Sequence, residues 1–213
     1  MIKVSKSKDT PQSLLKTKSY DGEDVKQQLL ADHHEKCYLC ERFLCTDFQV
    51  EHHKSRKFYP ELIQEWSNLF LTCSYCNGKK GEDFDNMLHP IDIDIENEIE
   101  HNIDFSTKKA EFKTSTISNR HNQTIELLKR LHNGTKKIRT TKEERFFEHV
   151  IEVINNFYQL VDKYLENPSR ENVILVREEL QIRKECLGFK YWIIKNNPQL
   201  YMEFADDIIW NKK

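Results

Sequence analysis

Two Cys-x-x-Cys pairs, Cys37/Cys40 and Cys73/Cys76, constrain this 213-residue chain more than any other feature of its sequence. Four thiolates in two short-spaced pairs suit a tetrahedral zinc, and sharing one ion would bring the two segments together in space. Thirty-two residues lie between Cys40 and Cys73, more than zinc-ribbon pairs usually leave, so the intervening segment is expected to be a structured insertion rather than a simple loop. A zinc closed by four sulfurs has no open position, which makes it a staple and leaves the chemistry to the residues it positions. No apolar run approaches a membrane span and the N-terminus lacks the apolar block of a signal peptide, so a cytoplasmic protein is expected. There, paired cysteines bind metal rather than form disulfides, and Cys45 and Cys186 are left as small buried or free thiols.

The chemistry-bearing residues cluster beside the pairs, in Val50-Glu51-His52-His53-Lys54-Ser55, Trp66-Ser67-Asn68-Leu69 and Cys76-Asn77-Gly78-Lys79-Lys80. The Glu51 carboxylate and the Asn77 carboxamide are hard oxygen donors of the kind that hold Mg²⁺ or Mn²⁺. Asn77 follows Cys76 directly, so pinning that sulfur fixes the backbone that presents the carboxamide. A neutral imidazole beside such a cation can take the proton from an attacking water while the metal stabilises charge on a phosphate. Strict strand alternation puts Glu51 and His53 on one face and His52 on the other, but a strand ending at Glu51 escapes that rule, so either histidine can be the base. Asn68 comes too early for the metal and reads as a loop fastener. Lys54, Arg56, Lys57, Lys79 and Lys80 crowd the same residues and are expected to hold nucleic-acid phosphates. The net charge of −2 argues neither way, because the positive charge is local.

A composition of 32% charged and 38% hydrophobic residues, with five Gly and five Pro, predicts a folded and mostly helical chain. Residues 1–20 read as an extended arm and residues 24–34 as a short helix leading to Cys37. Phe43, Phe48 and Val50 predict two short strands and a turn at the start of a ββα unit, and Pro60 opens a helical turn. Glu82 to Glu100 carries eight acids and no Lys or Arg; with Ile91, Ile93 and Ile95 alternating, it predicts a strand or strap whose acids face away from the site. A hairpin over 103–112 follows. Helices are then expected from about 119 onward, among them a long one opened by a capping box at Thr141 to Glu144. Its second apolar flank of Phe146, Val153 and Leu160 needs a cover, either the helices expected over 173–182 and 191–210 or a partner.

The motif segments, with Tyr59-Pro60-Glu61, resemble the signature of the HNH endonuclease family, with Asn77 in place of the final histidine and Glu51 in place of the more common aspartate. The arm, the first cysteine pair and the His89-Pro90 region resemble retron-associated and Septu-type bacterial anti-phage defence HNH proteins. The resemblance implies Glu51 and Asn77 as ligands of a catalytic Mg²⁺ or Mn²⁺, His52 as general base, Asn68 as structural, and Cys37, Cys40, Cys73 and Cys76 on structural zinc. It also implies an ABC- or SMC-type ATPase partner, and in the retron case a reverse transcriptase with its nucleic acid. The expected architecture is α+β: a zinc-stapled, treble-clef-like ββα-metal nuclease domain over 1–116 and a helical, partner-docking domain over 117–213. The competing expectation is a non-catalytic zinc module that binds nucleic acid or a protein, for which Glu51, His52 and Asn77 would have no use.

Overall fold

The computed structural model describes residues 1–210. The arm is not extended into solvent: Met1, Ile2, Val4 and, on a short helix α1 (Gln12–Lys16), Leu14 are all buried. Helix α2 (Glu23–Asp32) buries Val25 and Leu29 and delivers the chain to the first cysteine pair. That pair sits in a knuckle held by Cys37 N–H on Arg42 O at 3.0 Å and Leu44 N–H on Glu35 O at 2.9 Å.

No hairpin forms between Cys40 and Val50; only a single bridge joins Lys36 to Phe43. Strand β1 (Gln49–His52) instead pairs antiparallel with the fully buried β2 (Leu69–Thr72), placing Glu51 opposite Phe70. The polar Thr46-Asp47 stretch has no apolar face to bury, whereas Leu69-Phe70-Leu71 does, so long-range burial decides the pairing. Short 3₁₀ turns at Pro60–Leu62 and Trp66–Asn68 occupy the insertion. Helix α3 (Ser74–Lys80) starts as soon as β2 ends.

The acidic segment forms turns and a short helix α4 (Ile95–Glu98), not a strand; Ile95 is buried, and Ile91 and Ile93 pack on the core without a sheet partner. Its acids do not all face away, since Glu82 pairs with Lys57 at 2.6 Å and Asp83 with Arg130 at 3.0 Å. Strands β3 (Glu100–Asp104) and β4 (Lys109–Lys113) make the second hairpin. Helices α5 (Asn119–Asn133), α6 (Thr141–Glu166), α7 (Arg170–Glu179), α8 (Leu187–Lys195) and α9 (Pro198–Phe204) complete the chain. The capping box on α6 lies one residue earlier than its predicted place, on Thr140 and Glu143. Among the described residues no helix is long and apolar enough to cross a membrane.

The larger core runs from Met1 to Phe189 and crosses residue 116. Tyr75 of α3 stacks on Phe146 of α6 at 4.7 Å and donates to Leu131 O at 2.6 Å. A second core joins Phe157, Val161 and Tyr164 of α6 to α7, α8 and α9. Phe146 is buried, and Val153 and Leu160 are half-buried against these two cores.

Two stability outcomes follow from these packing details. Gly134 ends α5 at φ 75°, ψ −176°, a region almost exclusive to glycine, and a Cβ there would lie 2.8 Å from the Glu143 carboxylate. Gly134→Ala is expected to cost about 1–3 kcal/mol in urea unfolding; no measurable loss would contradict the assignment. Glu96 is buried where it accepts from Lys3 N–H at 2.8 Å, and desolvation pushes its carboxyl up to about 7. Its folded pKa lies above its unfolded one, so its contribution is present at acid pH and is lost as pH rises from the ordinary carboxyl range through about 7. Glu96→Gln should flatten the fall in Tm over that interval, and an unchanged slope would count against it.

Candidate metal centre and active site

The sulfurs of Cys37, Cys40, Cys73 and Cys76 lie within 4.8 Å of one another, and all four residues are buried. A tetrahedron with Zn–S bonds of about 2.3 Å has edges of about 3.8 Å, within that spread. The soft, uniform donor set fits zinc and leaves no position for a substrate. Local geometry supports the sulfurs: Cys76 N–H donates to Cys73 Sγ at 3.4 Å, and Thr72 Oγ1 lies 3.4 Å from Cys37 Sγ. The knuckle is tied to the sheet by Tyr38 N–H on Leu71 O at 3.0 Å.

Anchored at Cys73 and Cys76, α3 lies along β1 through two polar rungs. Asn77 Nδ2 donates to Gln49 Oε1 at 2.6 Å, and one turn later Lys80 Nζ meets Glu51 Oε1 at 2.8 Å and His52 O at 3.0 Å. Gln49 and Glu51 share a strand face, and Asn77 and Lys80 share a helix face, so the pairing follows from the two periodicities. Lys80 is fully buried, which corrects its expected phosphate-holding role: the ammonium has no route to a phosphate and is satisfied within the fold. Burial raises the Glu51 pKa, and the Lys80 charge partly offsets this.

His52 Nε2 lies 3.1 Å from Ile63 O. A carbonyl only accepts, so Nε2 carries the proton and Nδ1 keeps its lone pair. The ring meets the edge of Tyr20 at 4.8 Å, and the Tyr20 hydroxyl accepts from Arg56 Nη1 at 2.6 Å. Burial lowers the His52 pKa, the Ile63 hydrogen bond works against this, and Arg56 and Lys80 lower it further. His53 points into the core at 1% exposure, between Phe70 at 5.9 Å and His89 at 4.5 Å; its Nδ1 has no hydrogen-bond partner, and burial holds its pKa well below the usual value.

Asn68 fastens the loop between the strands. Its Oδ1 accepts from Lys54 N–H at 2.7 Å, and its Nδ2 donates to Lys54 O and Leu62 O, each at 3.1 Å. The second of these fixes the turn that offers Ile63 O to His52. Asp85 closes the other side of the loop, accepting from Ser55 N–H at 2.7 Å and Ser55 Oγ at 2.6 Å.

Of the remaining predicted phosphate-binding cations, Lys57 pairs with Glu82, Lys79 with the buried Glu143, and Arg56 rests on Tyr20. Lys54 lies 4.9 Å from the Tyr59 ring centroid and has no acidic partner among the described residues. Tyr20, Gln49 and Asp85 escaped sequence reasoning. Gln49 was within reach, two positions before Glu51 on the same strand face; Tyr20 and Asp85 sit in segments with no periodic signal.

No family model matches the chain. Over 60 residues it is 40% identical to the Septu protein PtuB of Bacillus thuringiensis, a stretch that covers 27% of this chain and 23% of that relative. The match thus spans less than a quarter of the relative's length.

If the four thiolates hold zinc, metal analysis should find about one ion per chain, and Cys73→Ala should lose it together with much of the thermal stability. A Cys73→Ala protein with wild-type Tm would contradict the assignment.

Proposed function

We propose that the chain is a metal-dependent HNH endonuclease that hydrolyses phosphodiester bonds of DNA or RNA, and that it is the effector of a Septu-type anti-phage defence complex with an ABC- or SMC-type ATPase as partner. The observation that carries the catalytic part is the His52 Nε2 contact with Ile63 O. It fixes the tautomer, so Nδ1 is the acceptor, and the lowered pKa keeps the ring neutral and able to take a proton near neutral pH. The defence role rests on the resemblance of the motif segments and on the similarity of a 60-residue stretch to a Septu protein.

In this mechanism His52 Nδ1 accepts the proton of the attacking water, and the Tyr20 ring with the Ile63 carbonyl holds the imidazole in place. Glu51 and Asn77 would hold Mg²⁺ or Mn²⁺, which when bound supplies positive charge to the phosphate oxygens. Lys80, 2.8 Å from Glu51 Oε1, orients that carboxylate and partly offsets the burial that raises its pKa. Cys37, Cys40, Cys73 and Cys76 would hold the structural zinc. One observation favours the non-catalytic alternative: the Glu51–Lys80 pair already satisfies the carboxylate without a cation.

The two readings separate in a cleavage assay of the full-length, zinc-loaded chain with its ATPase partner and Mg²⁺ or Mn²⁺. His52→Ala is expected to lower cleavage by at least about 100-fold, with zinc content and Tm close to wild type. Undiminished cleavage by that variant would remove His52 as the base. A wild-type complex that binds nucleic acid but never cuts it would support the binding module.

A further inference from the structure

Most of the cations beside the proposed catalytic residues are neutralised, yet the fold assembles a second group of lysines. Lys108 and Lys109, at the turn between β3 and β4, and Lys136 and Lys137, in the loop after α5, line one cleft of about 360 Å³. All four are exposed, and none has an acidic partner among the described residues. In a chain of net charge −2, this concentration is a property of the fold and not of the composition.

The walls of the cleft are fastened to each other. Arg139 donates from Nη2 to Lys108 O at 2.7 Å and from Nε to His132 O at 3.2 Å, and its guanidinium lies 3.7 Å from the Phe147 ring centroid. Asn133 and Ala110 bond in both directions, at 2.9 and 2.8 Å. The guanidinium also lies 3.5 Å from Glu144, an acid in the cleft lining, and so offsets its charge. A preformed site with four unpaired ammonium groups suits a polyanion, because little ordering remains for binding to complete.

The position of the cleft narrows the choice of polyanion. Lys142, at the start of α6, and Lys79, two residues beyond Asn77, each lie 5.9 Å from the Tyr75 ring centroid. Glu143, which pairs with Lys79, would lie 2.8 Å from a Cβ at Gly134, so α3 and the loop that carries Lys136 and Lys137 meet at this carboxylate. Beyond Lys108 the neighbouring groove turns acidic with Glu148 and Glu152, which bounds the cleft. Ile138, 80% exposed among the lysines, offers an apolar contact that phosphate alone would not require.

We infer that this cleft is a docking surface for the sugar–phosphate backbone of the nucleic acid whose scissile bond lies at the His52 site. The choice of nucleic acid over other polyanions rests on the proposed nuclease function. The test uses the full-length, zinc-loaded chain and labelled 20-nucleotide single-stranded DNA, RNA and duplex DNA, with anisotropy read across a salt series. The Lys108→Glu, Lys136→Glu, Lys137→Glu triple variant should bind at least about tenfold more weakly. Its log K against log [salt] slope should be shallower by about 2 for single strands and about 3 for duplex.

A triple variant with wild-type zinc and Tm that binds within about twofold of wild type would overturn the inference, since three lost phosphate contacts cannot leave affinity intact. No binding by the wild-type chain, or binding of polyglutamate in preference to every oligonucleotide, would overturn it too. Cleft-dependent binding by the chain, with no cleavage once its ATPase partner and Mg²⁺ or Mn²⁺ are added, would instead sink the nuclease function and leave the surface standing.

Discussion

Four buried sulfurs within 4.8 Å of one another join the knuckle after α2 to the first turn of α3, and the geometry around Glu51 depends on that junction. Cys73 ends β2 and caps α3, so the strand and the helix share one fixed corner. From it, helical periodicity alone carries Asn77 and Lys80 onto Gln49 and Glu51 of β1. A metal on these sulfurs would make its binding free energy folding free energy for both segments at once. The corner also explains how a seven-residue helix, too short to be stable in isolation, holds a well-defined face.

Much of this was legible in the sequence because it depends on spacing. Two Cys-x-x-Cys pairs dictate convergence, a residue directly after a fixed cysteine is itself fixed, and the seam on α6 reads from three- and four-residue steps. What escaped depends on long-range burial. β1 lies beside Phe48 in sequence but pairs with Leu69 to Thr72, because only that segment is apolar enough to be covered on both faces. Lys80 looks like a phosphate ligand in Asn77-Gly78-Lys79-Lys80, yet helical phase turns it inward onto Glu51, while Lys79 reaches the buried Glu143 of α6. Likewise the contacts that the α6 flank makes with α7 to α9 cannot be derived from the patterns of those helices alone.

Charge placement follows one logic across the molecule. Cations close to the proposed reacting groups are mostly held by carboxylates or aromatic rings, while burial, with Arg56 and Lys80 acting in the same direction, lowers the His52 pKa. Cations without acidic partners among the described residues include Lys54 and the cleft lysines Lys108, Lys109, Lys136 and Lys137. Under the proposed function, a fold arranged this way would separate two tasks, with backbone attraction at the periphery and proton transfer and metal coordination at the α3–β1 corner. The sequence alone hides the separation, since Lys79 and Lys80 lie next to the motif while Lys108 and Lys136 lie far from it.

The account depends most on there being two kinds of metal site, one closed by sulfur and one open through oxygen. The most direct test is cleavage by the zinc-loaded chain, with its ATPase partner, before and after weakly bound divalent cations are stripped. Wild-type protein should be inert when it retains only its zinc and should regain cutting on addition of Mg²⁺ or Mn²⁺, whereas Asn77→Ala should keep the zinc and fail to regain it. Cutting that persists with zinc alone, or full recovery in Asn77→Ala, would contradict the account.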